Sequence, residues 1–248
     1  MRRSRSFWMG TVTLLLAFGP GTVFAGRPLD TEDTGTVEPG KAELELSGDF
    51  AKNPEDRFWF AKSVLSFGLL PKLEGRLESG LLFFEPEGEK GRGGIGDSLL
   101  GFKYRLLDEV ETLPAVLGSL TVRLPTGDGG RQLGSADVDV GLLAVASKAF
   151  GPVTLTWNGG YTFVTRDRDL DFWTLAASVE YCATKAWSLV GEIVSGLGSG
   201  SAADTAVLRA GTTYSITDRI RADAAIGSGV TRESPDLLIT IGVTVRLF

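Results

Sequence analysis

Histidine is absent from this 248-residue sequence, and cysteine occurs once, at Cys182. Without an imidazole there is no Ser-His-Asp hydrolase, no Cys-His or Asp-His protease and no His-ligated zinc site, because each uses that ring to move a proton or hold a metal. A single Cys forms no internal disulfide. Proline is sparse, at 10, and no G-X-Y period accompanies the 33 Gly, so a collagen is excluded. That glycine share is nearly twice the usual value of about 7% and implies many tight turns. Long apolar runs are missing beyond the N-terminus, so the exported part has no stretch of the roughly 18 residues that a membrane-crossing helix needs. Nor does any segment recur at fixed spacing, which excludes a repeat architecture.

What is present begins with residues 1–25. Arg2, Arg3 and Arg5 precede the apolar stretch Phe7 to Phe18, and Val23-Phe24-Ala25 offers compact residues for cleavage, the pattern of a secretory signal peptide. A membrane anchor is disfavoured because Gly19-Pro20-Gly21 interrupts the run. No Cys follows the cleavage site, which argues against a lipoprotein. The formal net charge is −6, and removal of three Arg leaves the exported chain more acidic still. Such a chain repels nucleic-acid phosphate, so no nucleic-acid partner is expected.

From Gly40 onward the pattern alternates with period two, one side-chain set to each face of a strand. Ala42, Leu44, Leu46, Gly48 and Phe50 oppose Glu43, Glu45, Ser47 and Asp49. Leu73, Gly75, Leu77, Ser79, Leu81 and Phe83 oppose Glu74, Arg76 and Glu78. Twelve such segments follow one another, roughly 40–50, 58–69, 73–85, 95–107, 114–125, 136–147, 153–164, 171–181, 187–195, 204–215, 219–227 and 235–248. Most exceed the usual soluble strand of about 5 to 6 residues and match the roughly 9 to 11 that cross a bilayer at a tilt.

The connections alternate between short (70–72, 108–112, 148–152, 182–186, 216–218) and longer (51–57, 86–94, 126–135, 165–170, 196–203, 228–234). Outer-membrane barrels have an even strand number, short periplasmic turns and longer outside loops. Aromatics on the apolar face gather at both ends. Phe50, Trp59, Phe83, Phe163 and Trp173 lie at the long-loop ends, and Tyr104, Tyr181, Trp187 and Tyr214 at the short-turn ends. These are the two girdles of a barrel in a bilayer. A soluble β-sandwich would need neither girdles nor alternating loop lengths. The expected organisation is all-β: signal peptide 1–25, a periplasmic N-terminal segment or plug at 26–39, and a transmembrane antiparallel up-and-down β-barrel of about twelve strands over 40–248.

Several short stretches, in order, carry a family likeness: Arg27-Pro28-Leu29-Asp30-Thr31-Glu32-Asp33-Thr34, then Gly94-Ile95-Gly96-Asp97, Gly101-Phe102-Lys103-Tyr104-Arg105-Leu106, Leu124-Pro125-Thr126-Gly127-Asp128, Leu133-Gly134-Ser135 with Asp137, and Asn158-Gly159-Gly160-Tyr161. Together they resemble the family called putative MetA-pathway of phenol degradation, outer-membrane barrel proteins often labelled transporters. The resemblance implies a barrel and the passage of small aromatic or hydrophobic compounds, and it supplies no catalytic residues. One departure lies at the C-terminus, where Phe248 falls one place out of register with the lipid-facing set Ile239, Ile241, Val243, Val245 and Leu247.

The inward faces carry Glu43, Glu45, Asp49, Lys62, Glu74, Arg76, Glu78, Asp97, Lys103, Arg105, Arg123, Asp137, Asp139, Glu180, Glu192, Arg209, Arg221 and Asp223. This is a polar lumen, read either as a charged constriction or as a salt-bridged interior that holds the barrel nearly closed. Gly91 to Gly96 matches G-x-G-x-x-G, but a strand follows where a phosphate site needs a helix. Asp167, Asp169 and Asp171 have cation-binding chemistry, yet Phe172 stands where a calcium loop needs Gly, and a solvated acidic loop is the simpler reading. No cofactor and no resident metal are expected.

The sequence reads as a passive outer-membrane channel for small molecules in a Gram-negative bacterium, with no covalent chemistry. Expected partners are membrane lipid, lipopolysaccharide, a small-molecule solute and the barrel-assembly machinery during insertion. The alternative is a structural or adhesive barrel with a closed lumen and interacting loops. The acidic segment 26–39 either trails into the periplasm or folds up into the lumen.

Overall fold

The structure is a computed structural model whose described residues are 26–248; the signal-peptide segment 1–25 lies outside them. Thirteen strands follow in chain order: β1 (Ala42–Lys52), β2 (Asp56–Leu70), β3 (Leu73–Pro86), β4 (Arg92–Ile95), β5 (Ser98–Leu107), β6 (Ala115–Leu124), β7 (Asp139–Phe150), β8 (Val153–Val164), β9 (Phe172–Cys182), β10 (Trp187–Gly198), β11 (Thr205–Ser215), β12 (Ile220–Gly229) and β13 (Leu237–Arg246). All pairings between them are antiparallel, and β1 pairs with both β2 and β13, which closes the sheet on itself. The short β4 and the longer β5 are two parts of one stave, so the wall is a closed barrel of twelve staves.

Register converts the alternation into an inside and an outside. Glu43, Glu45, Ser47 and Asp49 pair with Ser66, Val64, Lys62 and Phe60, and this set faces the lumen. Leu44, Leu46, Gly48 and Phe50 pair with Leu65, Ser63, Ala61 and Trp59 on the other face. That outer face is covered with exposed apolar groups such as Leu65, Leu81, Leu175, Ile193 and Ile241. Lipid is the solvent in which such a band is stable. No described helix is long and apolar enough to cross a membrane; the strands do the crossing.

Aromatics on neighbouring staves meet at both ends of the barrel. At the long-loop end Phe50 and Trp59 lie 5.3 Å apart, Trp59 and Phe83 5.5 Å, and Tyr161 and Trp173 4.7 Å. At the short-turn end Trp187 pairs with Tyr214, and Leu189 with Tyr181. In the tight turn between β2 and β3, Lys72 adopts a left-handed φ of 67°, and Gly151 takes a φ of 62° between β7 and β8.

Three details differ from the sequence reading. The first outside loop, expected over 51–57, shrinks to 53–55, because β1 and β2 stay paired up to Lys52 and Arg57 and Asn53 Nδ2 donates to Asp56. The fourth stave, expected as one run, breaks at Gly96-Asp97. Phe248 resolves its parity by leaving the sheet, since β13 ends at Arg246 and the Leu247 amide donates to the Ala42 carbonyl.

Candidate functional site

The lumen is filled by the chain's own N-terminal segment, which runs from Gly26 towards Pro39 before β1 begins. At one end Gly40 N donates to the Gly68 carbonyl and Gly68 N to the Lys41 carbonyl. A side chain at Gly68 would meet the Glu38 carbonyl oxygen at 2.0 Å, so glycine is what allows this close approach. Further in, Arg105 Nε donates to the Thr34 carbonyl at 2.9 Å and the Val37 amide donates to Glu74 at 2.8 Å.

The centre of the segment is Glu32, which is completely buried. Its two carboxylate oxygens meet Lys103 Nζ at 2.6 Å and Arg76 Nη1 at 3.0 Å. Arg76 is shared with Glu74, 2.5 Å from its Nε. Asn158 of β8 holds the backbone of the same residue at both ends: Glu32 N donates to Oδ1 at 2.7 Å, and Nδ2 donates to the Glu32 carbonyl at 2.8 Å. That reciprocal pair gives a chain without strand partners the hydrogen bonds a ladder would supply.

On the opposite wall Glu192 of β10 accepts the amides of Asp30 and Thr31 at 3.0 and 2.8 Å and the Thr31 hydroxyl at 2.6 Å. Arg209 of β11 sits between Asp30 at 2.6 Å and Glu192 at 3.3 Å. Arg27 reaches β12 and β13, where Nη2 meets Asp223 at 2.8 Å and donates to Thr240 at 3.1 Å. A Cβ at Gly242 would fall 2.3 Å from that guanidinium, so the missing side chain makes its berth. Four buried cations thus meet carboxylates from both segment and wall, and buried charges persist only when paired in this way.

The expected lumenal residues divide into four groups. Glu32's partners Arg76 and Lys103, with Glu74, Arg105, Glu192, Arg209 and Asp223, engage the segment directly. Glu43 pairs with Arg246 at the short-turn rim, Lys62 with Asp49, and Arg123 with Asp139. Glu45, Glu78, Glu180 and Arg221 share the inward register. Asp97 and Asp137 lie off the strands. Asp97 lies in the break of the fourth stave and accepts the amides of Gly127 at 3.0 Å and Ser135 at 2.6 Å, clamping the long loop 125–138. Asp137 belongs to that loop, where its carbonyl accepts the Ser135 hydroxyl.

Two features escaped the ionisable-residue reading. The outer part of the lumen is apolar: Phe58, Leu82 and Phe84 form a buried cluster capped by Leu133 of the long loop, with Phe60 and Ala51 against it. Phe58 and Phe84 stack at 4.8 Å. The signal was present as apolar residues on the inward parity of β2 and β3. The acidic loop is also structured differently from a cation site. Asp171 accepts from Tyr161, from the Val164 amide and from Arg168, and no metal-holding cluster occurs among the described residues.

The family described as putative MetA-pathway of phenol degradation matches residues 25–247. No curated protein sequence matches the chain. Among solved structures, an outer membrane channel from Pseudomonas putida F1 is similar at a TM-score of 0.70 with 15% identity, covering 87% of this chain and 98% of that one. NanC porin is similar at 0.61 with 10% identity, over 82% of this chain and 100% of its own. KdgM porin follows at 0.60 with 8% identity, over 83% and 99%. At these identities the likeness is one of fold, that of an outer-membrane β-barrel.

Proposed function

This chain belongs to the family described as putative MetA-pathway of phenol degradation, and from that premise we propose that it is a passive outer-membrane channel for small molecules, held shut by its own segment 26–39. The similar folds with solved structures are a channel and porins. The observation that carries the reading is the clasp of Glu32 between Lys103 and Arg76. A barrel kept closed for strength alone could fill its lumen with wall side chains. Here the filling is a segment that precedes the first strand and is held to the wall by side-chain ion pairs and hydrogen bonds from Arg27 to Val37, and its withdrawal would expose a charged passage.

In this reading the work is steric and electrostatic selection, without covalent chemistry. The apolar cluster of Phe58, Leu82 and Phe84 beside the charged middle suits solutes with an aromatic or hydrophobic body. Lipopolysaccharide would meet the outer girdle, and the barrel-assembly machinery would act during insertion. Planar-bilayer recordings of the chain from Gly26, and of a shortened chain starting at Gly40, test the proposal. Few or no steps from the first and discrete steps from the second are expected. A shortened chain that folds and inserts but carries no current would instead support a structural barrel.

A further inference from the structure

The weakest place in the wall is the upper half of the fourth stave. Below the break, β5 is laddered on both sides, to β3 and β6. Above it, β4 pairs with β3 alone, Leu81 to Ile95 through Phe84 to Arg92. Its other edge has no strand beside it, because β6 ends at Leu124 opposite Ser98 and Pro125 then supplies no N–H. That edge faces the long loop 125–138 and is held by side chains: Arg131 donates to the Gly93 carbonyl at 3.2 Å and Thr126 Oγ1 to the Gly96 carbonyl at 3.0 Å. Arg92 donates to Gln132 at 2.5 Å, and the Asp97 clamp completes the closure. Such bonds are individually weak once their exchange with water is counted, whereas opening a laddered pair inside hydrocarbon strands several backbone groups at once.

Apolar material lies on both sides of this seam. Inside is the cluster of Phe58, Leu82, Phe84 and Leu133. The wall between has no bulk, since a Cβ on Gly94 would stand 2.9 Å from Leu133 Cδ1 and one on Gly96 3.4 Å from Phe60 Cε2. Outside, Leu81, Phe83 and Ile95 are exposed at the level of the outer girdle. An edge that opens at this height finds water and headgroups for its carbonyls, which the middle of a bilayer would deny it.

We propose that the seam between β4 and the loop 125–138 is a lateral portal, through which a small apolar solute exchanges between the Phe58–Leu82–Phe84 pocket and the outer leaflet, with Leu133 as its gate. The inference rests on the channel reading and gives its apolar solutes a route. It places the exit for apolar solutes in the wall, separate from the charged axis that the N-terminal segment closes.

The test uses the chain from Gly26 in phosphatidylcholine vesicles with the lipid-partitioning photoprobe trifluoromethyl-iodophenyl-diazirine. A Gly94→Cys/Leu133→Cys pair is placed in a Cys182→Ser background, since Cys182 is the free and exposed thiol. In the reduced form the probe is expected to label Phe58, Leu82 and Phe84. Oxidation should cut that labelling by about tenfold, in proportion to the loss of the open population, and reductant should restore it. Outward Trp59 and Phe83 should label equally throughout. Leu133→Ala in the otherwise unaltered chain should raise the lumenal labelling, which keeps the test independent of whether the paired variant folds. Labelling insensitive to the staple, or absent when reduced, overturns the portal. If the conductance of the shortened chain is intact in that case, the channel reading stands without it. Staple-sensitive labelling with no conductance supports the portal and removes the aqueous passage.

Discussion

Glu32 and Lys103, 71 positions apart in the chain, form a fully buried ion pair of 2.6 Å in which the acid belongs to a tethered segment and the base to the wall. The pair adds little net stability, because both charges have left water. Breaking one side of it is costly, at about 3–5 kcal/mol, since the other charge is left stranded.

Glu32→Gln therefore acts on the segment and spares the barrel. Lys103 then keeps only Asp33 and Arg76 only Glu74, so the inserted state loses its central anchor, and the open probability of the chain from Gly26 should rise by about tenfold or more. Planar-bilayer recording checks this. An unchanged closed record from inserted protein would sink the idea that this clasp holds the plug.

Glu192→Ala removes the acceptor of the Asp30 and Thr31 amides and of the Thr31 hydroxyl. Hydrogen bonds to a charged acceptor contribute about 1.5–3 kcal/mol each. Hydrogen exchange at those two amides should accelerate by at least about tenfold, while strand amides of β7 and β8 keep their protection. Mass spectrometry of the N-terminal peptide reads the difference.

Asp97→Ala frees the loop 125–138, because two amides lose their acceptor. Trypsin should then cut after Arg131 about tenfold faster than in the unaltered protein. Asp97→Asn, which keeps one carbonyl oxygen as an acceptor, should fall between the two. Equal cutting rates in all three proteins would show that Asp97 does not hold the loop.

Leu175 faces lipid between Trp173 and Tyr181 on β9. Leu175→Arg should destabilise the folded barrel by about 1–2 kcal/mol, less than an arginine costs at the bilayer midplane because the outer-girdle Trp173 is its next lipid-facing neighbour. Urea unfolding in lipid vesicles measures it, with Leu175→Ala as the control for lost packing. A cost no larger than that of the alanine variant would contradict the assigned lipid face.

Asp108, in the turn after β5, accepts a hydrogen bond from Lys72 Nζ at 2.6 Å, and this bond holds its carboxyl below the usual range. A carboxyl lowered by folding stabilises the folded state above its unfolded pKa and loses that contribution as pH falls through the folded value. Nuclear magnetic resonance titration of the Asp108 side chain should find its midpoint below 3.8, and Lys72→Met should move it up.

The Gly- and Asp-bearing loops mark how far sequence reasoning reaches. Period-two alternation at Ala42 to Phe50 or Leu73 to Phe83 is a local property, since a strand with lipid on one side and a lumen on the other must alternate. Strand number followed from it, while sidedness came from the alternation of short and long connections and the girdles from the aromatics on the apolar face. Leu133 shows the opposite case: one apolar residue in a Gly-rich loop has no period, and only the folded barrel brings it onto Phe58 and Phe84. Asp97 shares the parity of Lys103 and Arg105, but that it holds the loop amides of Gly127 and Ser135 is visible only in the fold.

The sequence by itself determined the wall, because each strand's pattern answers to a solvent that differs between its two faces, whatever the neighbouring strands are. Only the tertiary structure decided the contents. The segment 26–39 has no periodicity to declare its place, and its location in the lumen depends on Arg76, Lys103, Glu192, Arg209 and Asp223, which lie far apart in the chain and converge only after the sheet closes. A buried charge must find its partner, and which partner is within reach is a property of the closed barrel.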